Sequence, residues 1–165
     1  MTKDIQKAIA MLEIEKGNIV TENFNYFFIG ELDVVSLNKS GYVSEFEVKI
    51  SRSDFKADSK KRKWYFFDNK IEKQIPNYFW YACPDGLIMP HEIKPYMGLI
   101  YYSEKGFIII QKPKIIHKFK HDIIKLLTKI SRQNNWKQYF GACQLTVKNN
   151  EIKERNKVLT HQKIN

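Results

Sequence analysis

Apolar residues recur at helical spacing at the start of the chain and then switch to strand spacing. Ile5, Ala8, Ile9 and Leu12 fall on one stripe of residues 2–16, the repeat of an amphipathic helix. Thr2 is placed to act as its N-cap and Gly17-Asn18 to end it. Ile19, Val20, Phe24, Tyr26, Phe27 and Phe28 then predict a strand over residues 19–29. The stretch from Gly30 to Phe55, GELDVVSLNKSGYVSEFEVKISRSDF, predicts a β-hairpin running into a helix, with its turn at Asn38-Lys39-Ser40-Gly41. Strand side chains alternate between faces. Phe46, Val48 and Ile50 therefore share the core face, while Glu45, Glu47 and Lys49 share the other, with Asp33 of the first arm beside them. Ser53 or Asp54 is placed to cap a helix over DFKADSKKRKW.

Residues 78–83 form a nearly unbroken apolar run ended by Pro84-Asp85-Gly86, as in a strand covered on both faces. Met97–Ser103 and Phe107–Gln111 predict two more strands joined by a turn at Glu104-Lys105-Gly106. Ile123–Tyr139 predicts a closing helix with Ile123, Ile124, Leu127, Ile130 and Trp136 inward. The order of elements predicts one α/β domain over residues 1–150, a mixed central β-sheet flanked by helices. Residues 151–165 read as a polar, frayed tail.

Composition narrows the class. A chain of 165 residues that is 43% hydrophobic can bury one core. It has no apolar run long enough for a membrane span and no apolar segment of a signal peptide at its start. Cys83 and Cys143 lack paired spacing, and His91, His117, His121 and His161 lack zinc-site spacing. These features predict a cytoplasmic protein with reduced thiols.

The net charge of +10 is unevenly spread: residues 1–111 carry 15 basic and 15 acidic side chains, residues 112–165 carry 13 and 3. A basic third on a domain with an acid-lined strand face suggests a polyanionic partner held beside that face. A simply solvated surface is the plainer alternative.

Asp33 and the Glu47-x-Lys49 triplet have the arrangement of the PD-(D/E)XK nuclease core. The run Glu45-Phe-Glu-Val-Lys-Ile-Ser-Arg-Ser-Asp-Phe-Lys-Ala-Asp58 further resembles the MmcB-like DNA-repair branch of that superfamily, as do Lys63-Trp64, the Tyr78–Pro84 strand and Gly98-Leu99-Ile100. The resemblance spans roughly residues 20–113, with Leu32 where the superfamily has its proline. It implies a restriction-endonuclease-like core and a Mg²⁺- or Mn²⁺-dependent DNA endonuclease of repair, recombination or a mobile element. Asp33, Glu47 and the Val48 carbonyl would hold the metal, and Lys49 would position and activate water. Ser51 and Arg52 would contact the phosphate beyond the scissile one, and Lys60, Lys61, Arg62 and Lys63 would bind phosphates farther along the DNA. Glu13, Glu15 and Glu22 are weaker candidates for an additional metal ligand. A homodimer is a candidate assembly, because enzymes that cut both strands are often dimers.

The chemistry calls for these residue types. A phosphodiester is shielded by its own charge, and a hard dication both supplies a nucleophile and neutralises the charge that builds up. Two bare carboxylates about 4 Å apart repel by roughly 4 kcal/mol at an effective dielectric of 20. A purely structural cross-strand ladder, worth only about 0.2–1 kcal/mol per pair, accounts poorly for such a row. The rival function is a nuclease fold kept as a DNA-binding module without turnover, and a more distant one is an RNA-directed nuclease. Trp64, after the basic run, reads as core rather than as a base-stacking platform.

Overall fold

The computed structural model describes residues 1–25 and 30–134. The proposed tail at 151–165, the segment 26–29 and the end of the predicted closing helix lie outside the described residues. Met1–Leu126 form one compact unit and Leu127–Asn165 a second, of which residues 127–134 are described and helical.

Six strands make one sheet in chain order: β1 (Ile19–Phe24), β2 (Leu32–Leu37), β3 (Val43–Val48), β4 (Tyr78–Pro84), β5 (Gly98–Ser103) and β6 (Gly106–Gln111). The β3/β4 and β4/β5 pairs are parallel and the other three antiparallel. The expected mixed α/β architecture is therefore present.

Helix α1 (Thr2–Glu15) covers one face, where Ile5 and Ile9 pack with Val34, Phe46, Val48, Ala82 and Ile100. Two short helices, α2 (Arg52–Asp58) and α3 (Lys63–Asp68), lie in the β3–β4 crossover. On the opposite face of the sheet, Phe66 and Phe67 of α3 join Phe79, Tyr81, Cys83, Leu99 and Tyr101 in a second cluster. Trp64 packs edge-on to Phe79 and donates its indole N–H to the Asp58 carbonyl at 2.7 Å, so it belongs to the core as expected.

Several local expectations change. Met1, not Thr2, occupies the N-cap of α1, and no side chain caps it. Ile50 lies past the end of β3 and is exposed rather than in the core. The stretch expected to be one helix is two, because the chain breaks at residues 59–62, and Ser51 rather than Ser53 or Asp54 caps the first. In the segment 123–134, all helical, Ile130 is buried as expected, but Ile124 is 78% exposed, Leu127 is exposed and Leu126, not expected inward, is fully buried.

A strap over residues 112–122 ties the lower edge of the sheet. It bonds Lys114 N–H to the Tyr96 carbonyl, Ile116 N–H to Asn77 and His121 N–H to Gly41. Asn77 is the hub of this edge. Its side-chain oxygen accepts from Val43 N–H at 2.8 Å, and its amide donates to the His117 and Phe119 carbonyls at 3.0 and 2.8 Å.

Candidate active site

The site forms where β3 runs out. Val34 pairs with Phe46 and Val35 with Glu45, so Asp33 comes opposite Glu47. At that point the β2–β3 ladder is completed by a side chain: Val48 N–H donates to Asp33 Oδ2 at 2.7 Å. The Asp33 carboxylate is thus fastened to the peptide between Glu47 and Lys49. Gln6 of α1 donates to its other oxygen at 3.2 Å. Burial, then the neighbouring Glu47 charge, raises the Asp33 pKa, with Val48 N–H, Lys49 and Lys61 opposing.

Strand alternation points Glu45, Glu47 and Lys49 toward α2 and α3, where all three are buried. Lys49 Nζ bonds Glu47 Oε1 at 2.8 Å and lies 3.4 and 3.1 Å from Asp54 and Asp58. Those two acids stand one helical turn apart on α2, so one face of the helix meets the lysine. The Tyr81 hydroxyl, from β4, donates to Asp58 Oδ2 at 2.6 Å.

The break after α2 lets the chain bring two further ammonium groups back to the strand. Lys63 Nζ donates to Glu47 Oε2 at 2.8 Å and to Glu45 Oε1 at 3.3 Å, and sits 4.7 Å from the centre of the Phe79 ring. Lys61 Nζ makes a short hydrogen bond to Glu47 Oε1 and lies 3.0 Å from Asp58.

Glu47 therefore receives three ammonium groups. Burial would raise its pKa, but Lys63, Lys49 and Lys61 more than reverse that and hold it well below the usual carboxylate range. Glu45 goes the other way: burial pushes it up to about 7 against the pull of Lys63. Its Oε2 is buried without a hydrogen-bond partner, which suits a protonated carboxyl better than an anion. Burial, and then the Asp58 charge, raises the Tyr81 hydroxyl, which stays a donor.

Asp33, Glu47, Lys49 and the Val48 peptide are brought together as the sequence indicated, and Lys61 joins them. Lys63 corrects the expectation of a surface phosphate contact: its side chain is 2% exposed and closed off by Glu45 and Glu47. Ser51 serves as the α2 cap, accepting from Asp54 N–H at 3.2 Å. Arg52 turns toward the 84–92 loop, donating to Glu92 and to the Leu87 carbonyl at 2.7 and 2.9 Å. Lys60 and Arg62 are exposed on the break between the helices.

The three additional acids lie on α1 and β1. Glu13 is held by Ser36, Lys16 and Asn18, Glu15 is exposed on α1, and Glu22 sits on β1 opposite Val34. The sequence reading passed over Asp58, Tyr81 and the protonation of Glu45. The spacing of Asp54 and Asp58 on a helix directly after Lys49 was the signal for Asp58. Tyr81 had no separate signal within an apolar run.

Three lysines of the basic third also lie elsewhere. Lys114, Lys118 and Lys120 are exposed on the strap, which follows the Gly41, Asn77 and Tyr96 end of the sheet. Six residues of strand, roughly 20 Å, separate that end from Asp33 and Glu47.

Among the described residues no group of three or more His, Cys, Asp or Glu side chains is placed to hold a metal ion. The donors present are two carboxylates, Asp33 and Glu47. They suit a hard dication such as Mg²⁺, which takes one or two protein carboxylates and fills its remaining positions with water and phosphate oxygen.

No family model matches the chain, and no curated protein does. Among solved structures, the chain is similar to an SPO1766 protein of unknown function from Silicibacter pomeroyi. Identity is 20%, over 81% of this chain and 86% of that one, with a TM-score of 0.60. At that identity the likeness shows a shared fold and nothing about chemistry.

Proposed function

We propose that the protein is a metal-dependent nuclease acting on DNA in the cytoplasm, in repair, recombination or a mobile element. The observation that carries this reading is the fastening of Asp33 to the Val48 N–H, which sets its carboxylate beside Glu47 and Lys49 at one strand end. Asp33 and Glu47 would hold Mg²⁺ or Mn²⁺, with the Val48 carbonyl as a third protein oxygen. The metal would supply a water nucleophile at neutral pH and neutralise charge on the phosphoryl oxygens. Lys49, oriented by Glu47, Asp54 and Asp58, would hold the attacking water and stabilise the charge that develops on the phosphate. Asp58, held by Tyr81, keeps that ammonium aimed along the strand.

One observation favours a second reading. All three lysines converge on Glu47, so the cluster is also a self-sufficient ion-pair network, as in a fold that binds DNA without cutting it. Plasmid nicking with and without Mg²⁺ or Mn²⁺ separates the two. Cleavage that needs metal and is lost in Asp33→Ala, Glu47→Ala and Lys49→Ala, each still folded by circular dichroism, supports the nuclease. No metal-dependent nicking, or a folded Lys49→Ala protein that cuts at the parent rate, overturns it.

A further inference from the structure

Three ammonium groups serve one carboxylate, and they are not equivalent. Lys49 and Lys63 are each 2% exposed and have other carboxylates to satisfy them. Lys61 has a 42% exposed side chain and stands on the break between α2 and α3, outside either helix. It takes Glu47 Oε1 on the solvent side of the cluster, the same carboxylate to which the nuclease reading assigns the metal. Both oxygens of Glu47 are already taken, Oε1 by Lys49 and Lys61 and Oε2 by Lys63, so a dication beside Glu47 needs one ammonium to withdraw, and Lys61 has the most exposed side chain of the three.

We propose that Lys61 is an exchangeable counter-cation. It neutralises Glu47 while no metal is bound, and it moves to a DNA phosphate when a dication takes its place. This rests on the nuclease reading and adds a coupling to it, because metal binding frees a phosphate-binding cation and DNA binding removes a competitor of the metal. By linkage each ligand then tightens the other. Lys61 is a positioning residue in this scheme.

The test measures binding, not cleavage. Free Mn²⁺ is followed by electron paramagnetic resonance during titration of the parent, Lys61→Met, Lys61→Arg and Glu47→Gln proteins, each checked for folding by circular dichroism. Lys61→Met should bind Mn²⁺ about tenfold more tightly than the parent, equivalent to about 1.4 kcal/mol. Lys61→Arg, which keeps a cation on Glu47, should stay close to the parent, and Glu47→Gln should lose the site. In a second arm, Ca²⁺ should raise the affinity of the parent for a short fluorescent duplex by a larger factor than that of Lys61→Met. Equal Mn²⁺ affinity in parent and Lys61→Met, with Glu47→Gln still losing the site, overturns the exchange and leaves the nuclease reading standing. Absence of Mn²⁺ binding in every variant overturns both.

Discussion

Glu45 makes the stability of the fold depend on pH in a direction that can be measured. Its carboxyl is fully buried, faces Lys63, Glu47 and Asp58, and keeps its proton to about pH 7, whereas the ordinary value is 4.5. Between those values the folded chain holds a proton that the unfolded chain has released, so stability falls as pH rises. Glu45→Gln removes this dependence while keeping an oxygen for Lys63. From the two pKa values, the stability of the variant relative to the parent should grow by roughly 2–3 kcal/mol from pH 5 to pH 8. Two other groups slope the opposite way. Glu47, held low by its lysines, loses stability as pH falls below the usual carboxylate range. His121, lowered to about 4 by burial and His117, does so below 6.5. Both are present in parent and variant, so the difference between the two curves isolates Glu45. Urea denaturation at pH 5, 6, 7 and 8 gives the curves. Parallel curves would refute a neutral Glu45 and imply that the carboxylate is ionised beside Lys63 throughout.

Three further outcomes are expected. Asn77→Ala leaves the Val43 N–H and two strap carbonyls without their partner and should cost about 2–4 kcal/mol in urea denaturation. Gly98→Ala places a Cβ 2.2 Å from the Trp80 ring; the ring is half-buried and must shift, for about 1–3 kcal/mol by the same measurement. Replacing Lys114, Lys118 and Lys120 with Ala should leave the single-turnover cleavage rate at saturating DNA unchanged, because that end of the sheet lies roughly 20 Å from the site. A slower rate would bring the DNA path across that end of the sheet.

The strands were legible because each carries its own period. The Glu45, Glu47, Lys49 row and its apolar partners Phe46 and Val48 needed only alternation to be placed on opposite faces. The hairpin also brought Asp33 to the right side. What alternation cannot reveal is where a charged run goes after the strand. Lys60 to Lys63 read as one basic run on a single helix, yet a four-residue break sends Lys63 into the core and leaves Lys60 in water. That outcome depends on Glu45 and Glu47 offering carboxylates at the right height, which is a tertiary fact. Arg52 was misplaced for the same reason: its partner, Glu92, is forty residues away in the chain. In the closing helix Ile130 is buried as expected while Leu126 was missed, because apolar residues occur on several of its sides and apolar spacing alone does not choose among them.

Spatial order and chain order coincide across the whole sheet, from β1 to β6. Every strand can therefore dock on its neighbour in the chain, and the site is completed when β4 docks on β3. Its carboxylates and lysines come from residues 33–63, but Phe79 and Tyr81, which stand beside Glu45 and Glu47 in the register, arrive only with β4. Until then the charges remain hydrated, so the cost of drying them falls late in folding. Substitutions in the cluster are then expected to show mainly as faster unfolding, with little change in the folding rate. The persistence of the folded state is thus governed by the same group of residues that the chemistry requires.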